Sequence, residues 1–170
     1  MEEGLVNTPE IKAAILSLLQ RNARMPVQEI ADRLDASPDT VSALLTGMEQ
    51  DGTIMGYHAL VNEEKAGGGV VRALIEVEVQ PERDGGFDRV ALRISKFPEV
   101  RAVHLVSGTY DLGVEVVGES LQDVALFVAS KLAAMAGVRS TVTHFLLRKY
   151  KESGFQLQDK ESHERLKVVP

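Results

Sequence analysis

A chain of 170 residues with 44% hydrophobic and 26% charged side chains has apolar mass for one full domain or two small ones. It holds no cysteine, which excludes disulfides, thiolate metal sites and a cysteine nucleophile, and no apolar run of membrane-spanning length. The net charge of −6 sits in the N-terminal third, where residues 1–66 carry five basic and eleven acidic side chains; residues 67–150 hold ten of each and 151–170 four of each. The acidic start Met-Glu-Glu-Gly lacks the basic-then-apolar layout of a secretory signal, and the expected location is cytoplasmic.

Three helices are predicted before residue 52. The first opens at Thr8 as N-cap with Pro9 at the first helical position, and buries Ile11, Ala14, Ile15, Leu18 and Leu19. A second, from about Pro26 to Leu34, buries Val27, Ile30, Ala31 and Leu34. After Asp35-Ala36, Ser37 and Pro38 cap a third helix that buries Val41, Leu44, Leu45 and Met48 and stops at Asp51-Gly52. Two helices joined by so short a turn have the layout of a helix-turn-helix. An extended segment, Ile54 to Val61, then leaves this domain, and residues 62–69, ending in three glycines, are the linker expected.

Beyond the linker a unit repeats. Val71, Ala73, Ile75, Val77 and Val79 alternate, predicting a strand over 70–80 with one apolar face. A helix with Phe87, Val90, Ala91, Ile94 and Phe97 on one side follows, then strands over 100–106 and from Tyr110 through Val116. Ser120 caps a long helix with apolar positions Leu121, Val124, Ala125, Val128, Leu132 and Met135, and a last strand runs from Val138 to about Lys149. The fold expected is α+β: an N-terminal winged helix-turn-helix domain (1–61), the linker (62–69), a ferredoxin-like βαββαβ domain (70–150) and an extended C-terminal arm (151–170).

This order of elements resembles the Lrp/AsnC family of transcription regulators. In the first domain the matching residues are Asn22-Ala23-Arg24, Glu29-Ile30-Ala31 with Leu34, Ser37, Val41, Met48-Glu49 with Gly52, and Ile54 with Gly56-Tyr57. In the second they are Phe97-Pro98-Glu99-Val100, the run from Ser107 to Leu112, and Gly137-Val138 with Thr141 and Thr143. The resemblance spans about residues 8–150 and implies double-stranded DNA as a partner. It further implies a homodimer formed through the second domain, assembly to an octamer, and a small effector, an amino acid in many members, between protomers. No membrane partner is implied.

The third helix is where such a protein reads DNA, yet no lysine or arginine lies between Arg33 and Lys65. Its exposed face offers Pro38, Asp39, Thr40, Ser42, Ala43, Thr46, Gly47 and Glu49 with Gln50, and Ala43 with neutral neighbours stands where family members place arginines. Phosphate contacts are left to the hydroxyls of Ser37, Thr40 and Ser42, the helix N-terminus, and Arg24 and Arg33 from the second helix. Base readout is left to methyl contact and DNA shape. The alternative is a ligand sensor whose helix-turn-helix is kept as a fold without binding DNA. For the effector, the resemblance implies Ser107, Gly108, Tyr110, Asp111, Thr141 and Thr143. Gly108 lets backbone amides approach, the Asp111 carboxylate suits an α-ammonium group, and the threonine hydroxyls suit a carboxylate.

No enzyme, cofactor or metal site is expected. Gly67–Gly69 lacks the Lys-Ser/Thr of a P-loop, and His104 and His144 fall on opposite edge strands. His58 and His163 have no carboxylate at ligand spacing, so all four read as isolated histidines. Proteins of similar architecture that decarboxylate tetrapyrroles share the fold only, and their histidine-rich strand signature is not matched.

Overall fold

The computed structural model describes residues 8–67, 69–80 and 86–157, which divide into two units at Leu60/Val61. In the first unit α1 (Thr8–Arg21), α2 (Val27–Leu34) and α3 (Pro38–Gln50) close around Ile15, Ile30, Ala31, Val41 and Met48. Pro26, the expected first residue of the second helix, is its N-cap. The Ser37 hydroxyl caps α3 by accepting from Thr40 N at 3.1 Å, and Gly52, at φ 78°, ends that helix. Asp35 takes the left-handed conformation (φ 50°, ψ 45°) that ends α2, and Ala36 N–H reaches the Ala31 carbonyl at 3.0 Å. An aspartate tolerates this backbone at a cost that glycine avoids.

In the second unit β1 (Val71–Val79), β2 (Val100–Leu105), β3 (Leu112–Gly118) and β4 (Val138–Phe145) form an antiparallel sheet ordered β2-β3-β1-β4. This is the ferredoxin-like order, with β2 and β4 at opposite edges as expected. Strand β1 is central because Ala73, Ile75, Val77 and Val79 all bury, against Leu112, Val114 and Val116 of β3. Helices α5 (Asp88–Ile94) and α6 (Leu121–Phe127) cover that face through Val90, Ile94, Val124 and Phe127.

Four expectations need correction. The long helix is not uniform: from Val128 to Leu132 it makes a π-helical turn, closed by Ala133 N to Val128 O at 2.8 Å. Leu132 is in the core as expected and Phe127, not expected there, joins it, while Leu121 and Ala125, expected inside, are exposed. Lys131 of this turn stands beside Glu99 (2.5 Å) and over the Phe97 and Phe127 rings (5.7 and 5.8 Å to the centroids). Second, the last strand of the sheet ends at Phe145; Leu146 N still donates to Arg72 O at 2.9 Å, and 147–150 lie in no strand. Third, the arm folds back as a hairpin, β5 (Lys151–Glu152) with β6 (Phe155–Gln156), around Ser153 and Gly154 at φ 46° and 87°. Its remainder, 158–170, lies outside the described residues. Fourth, residues 54–61 form no strand, whereas the linker contains a one-turn helix, α4 (Glu63–Ala66), capped by Asn62.

Residues Val61 onward belong to the second unit, and Glu63 pairs with Arg72 of β1, with Nε 3.3 Å from Oε2. The Arg72 hydrogen bond, opposed by burial, holds the Glu63 carboxyl below its ordinary value near 4.5. A carboxylate lowered in the folded state contributes stability above its unfolded value and loses it as pH falls through the folded one. Glu63→Gln should therefore lower stability at pH 7 and flatten its loss below pH ~4.5, read by thermal unfolding between pH 7 and 3. Asp35→Gly should raise stability by about 0.5 kcal/mol, seen as a higher urea midpoint at unchanged m-value.

Candidate nucleic-acid interface and effector site

Helix α3 turns Val41, Leu44, Leu45 and Met48 toward its own core and leaves Asp39, Thr40, Ser42, Ala43, Thr46, Glu49 and Gln50 exposed. No cation stands on that face. Among residues 8–60, Lys12, Arg21, Arg24 and Arg33 face Glu10, Glu29, Asp32, Asp35, Asp39, Glu49 and Asp51. Arg33 is committed to Glu29 one turn back, at 2.7 Å, so its charge is already partly balanced. Arg24 lies in the turn between α1 and α2 rather than on α2, and is exposed with no ion pair among the described residues.

The hydroxyls are also partly used. Ser37 Oγ and Thr40 Oγ1 lie 2.8 Å apart, so one proton of the two is spent inside the cap and one stays available. Ser42 and Ala43 are open to solvent, as is Pro38 at the start of the helix. Glu49 accepts from the Tyr57 hydroxyl at 2.9 Å, tying the segment after α3 to its last turn. Asp51 accepts from Thr53 N at 2.9 Å, and bonds from Thr53 hold its carboxyl below the ordinary value.

Four of the effector candidates lie at or beside the turn near the far end of β1. Ser107, Gly108 and Tyr110 form the turn between β2 and β3, closed by Val106 N to Asp111 O at 2.8 Å. A Cβ on Gly108 would meet nothing within 4 Å, so that stretch of backbone is open to approach. Tyr110 Cε2 lies 3.7 Å from the point a Gly113 Cβ would occupy, and the ring rests there half-buried.

Asp111 is not fully free. Its Oδ2 accepts from Val79 N at 2.7 Å, where β1 shifts register between Glu78 and Val79, and its own N–H donates to Val77 O at 3.1 Å. Thr141 and Thr143 are half-buried opposite Val77 and Ile75. Asp111 and Thr141 thus flank β1 from opposite sides, about 10 Å apart at two strand spacings, and do not converge within one chain.

Residues distant in sequence build one more feature, and only folding brings them together. A cleft of about 380 Å³ lies at the opposite end of β1, lined by Asn62, Glu63, Arg72, Leu146, Arg148 and Lys149 among others. Elsewhere, His144 is not isolated: its Nε2 stands 3.2 Å from Glu76 Oε1 on the neighbouring strand. Among the described residues no cluster of three or more His, Cys, Asp or Glu is placed to hold a metal, and no helix is long and apolar enough to cross a membrane.

A capped helix-turn-helix followed by a ferredoxin-like domain with an open turn at a strand end defines a two-part class: a DNA-binding module joined to a ligand-binding one. Residues 9–55 match the model of winged helix-turn-helix DNA-binding domains, and residues 72–154 that of the Lrp/AsnC ligand-binding domain. YugG of Bacillus subtilis, an uncharacterised HTH-type transcriptional regulator, is 39% identical over 162 residues, covering 95% of this chain and 98% of its own. A second uncharacterised HTH-type regulator, from Pyrococcus horikoshii, is 36% identical over 141 residues, 83% of this chain and 87% of its own. A transcriptional regulator of Neisseria meningitidis, solved in complex with L-Met, superposes with a TM-score of 0.67 at 26% identity, over 84% of this chain and 92% of that one. The chain belongs to the Lrp/AsnC family of transcription regulators, whose members bind DNA and are not enzymes.

The Asp111–Val79 bond yields a test of structural role. Asp111→Ala leaves a strand N–H without its acceptor and should cost about 1–3 kcal/mol, whereas Asp111→Asn keeps a carbonyl oxygen and should cost under about 1 kcal/mol, both by urea unfolding.

Proposed function

We propose that this chain is a cytoplasmic regulator that holds duplex DNA through α3 and changes assembly state when an amino acid binds between protomers. The DNA contacts are Arg24 and Arg33 with Ser37, Pro38, Thr40, Ser42 and Ala43. The effector contacts are Ser107, Gly108 and Tyr110 around the backbone turn, Asp111 toward the ammonium group, and Thr141 and Thr143 toward the carboxylate. The observation that carries the reading is the failure of Asp111 and Thr141 to converge in one chain. A small molecule touching both kinds of group calls for a second copy, so the ligand and the dimer are linked. Asp111 retains Oδ1 for such a contact, since only Oδ2 is bonded to Val79. The L-Met complex of the Neisseria relative supports an amino acid as the ligand class.

The mechanism is linkage. A ligand that binds one assembly better than another shifts their balance, and with it the spacing at which paired α3 helices meet successive major grooves. An octamer built from dimers would multiply that effect. The cation-poor α3 favours one other reading, a ligand sensor whose DNA module has lost its grip.

Titrating the full chain with each common amino acid, and reading sedimentation and DNA affinity together, tests the proposal. One amino acid should shift assembly size and change DNA affinity by roughly 5- to 150-fold. Asp111→Asn, which keeps the strand bond, should abolish that response. A full panel that changes neither quantity would overturn the effector reading.

A further inference from the structure

We propose that α3 recognises thymine through its C5-methyl group, using the side-chain methyls of Ala43 and Thr46. This rests on the DNA-binding reading above and specifies its chemistry. Asp39, Ser42, Ala43 and Thr46 follow one another at helical spacing and form an exposed stripe opposite Val41, Leu44, Leu45 and Met48. From Asp39 to Thr46 the stripe contains none of the side chains that read guanine or adenine by paired hydrogen bonds, which are Arg, Lys, Asn and Gln. Gln50 continues the same face one turn beyond Thr46 and stands at the last residue of the helix, so the run from Asp39 to Thr46 is left to short side chains.

What the stripe does offer is short and partly apolar. Ala43 ends in a methyl, and Thr46 pairs a methyl with a hydroxyl. Gly47 beside it has open space where a Cβ would stand, so nothing bulky holds this part of the helix off the groove. Of the four base-pair orientations, only those with thymine present a methyl in the major groove, so apolar contact there discriminates without charge. Asp39, in the first turn, suits the helix dipole and can accept only from a donor such as the cytosine amine; it offers nothing to thymine O4. Thymine readout therefore falls to Ala43 and Thr46, the methyl-bearing pair farther along the stripe.

The test begins with a duplex selected from a random library by the full-length protein, then synthesised once with thymine and once with deoxyuridine, which lacks only the methyl. Loss of one buried methyl should weaken binding roughly fourfold, the equivalent of about 0.8 kcal/mol, and a dimer on two half-sites should lose more than tenfold. Thr46→Ser removes the protein's methyl and keeps the hydroxyl; at this exposed position it should leave the fold intact, checked by thermal unfolding. The penalty for deoxyuridine should shrink in Thr46→Ser and in Ala43→Gly. Equal affinity for the two duplexes overturns the proposal while leaving DNA binding standing. A deoxyuridine penalty as large in both variants as in the parent also overturns it, because the effect then lies in DNA shape. Failure to select any duplex removes the DNA-binding reading itself.

Discussion

A polyanion is held by whatever offsets its charge, and α3 brings almost nothing to that task. Its exposed face carries Asp39 and Glu49 and no cation, and the unit around it holds more carboxylates than basic groups. A helix-turn-helix of this composition cannot rely on counterion release from phosphates, the term that dominates most non-specific DNA affinity. Its grip has to come from backbone amides at the α3 N-terminus, from hydroxyls, and from the few arginines at its flank. Local bonds thin even that supply: Glu29 engages Arg33, and Ser37 and Thr40 share a proton. A binder so built gains relatively more from shape and apolar contact, and doubling the contacts in a dimer matters more to it than to an arginine-rich relative.

In the proposed mechanism the second unit would supply that doubling and its control. Strand β1 is bonded on both sides and buried along one face, so it is the rigid reference for everything near it. Asp111 reads the position of its end through the Val79 N–H, and the Ser107–Tyr110 turn is closed by the Asp111 carbonyl. A ligand engaging this aspartate would therefore press on a residue already tied to the central strand. The other end of β1 meets the chain arriving from the DNA-binding unit, where Glu63 of α4 grips Arg72. These contacts tie the sheet to both the Ser107–Tyr110 turn and the segment that follows Leu60.

Much of this was legible in the residues. The Ser37-Pro38 cap, the strict alternation in β1 and the doubling of β-α-β units give the helix order and the sheet order. What stayed hidden depends on packing. The π turn at Val128–Leu132 carries no periodic signal; periodicity placed Leu132 inside correctly, missed Phe127, and assigned inward places to Leu121 and Ala125, which are exposed. Helix α4 is one turn long, too short for any periodic signal, although Asn62 is an ordinary cap. The hairpin at Ser153-Gly154 had a turn dipeptide to announce it, masked by the polar character of the surrounding stretch. For the candidate site, residue types suggested the chemistry, but the bond from Val79 N–H to Asp111 spans 32 residues and no local pattern encodes it.

The most direct measurement is the salt dependence of DNA binding by the full-length protein on a selected duplex. Two protomers contributing Arg24 and Arg33 neutralise at most about four phosphates, which predicts a slope of log K against log salt no steeper than about −4. A slope of about −7 or beyond would mean that cations other than Arg24 and Arg33 carry the DNA. The absence of any complex in nearly salt-free buffer would mean that backbone and hydroxyl contacts are too weak to hold it.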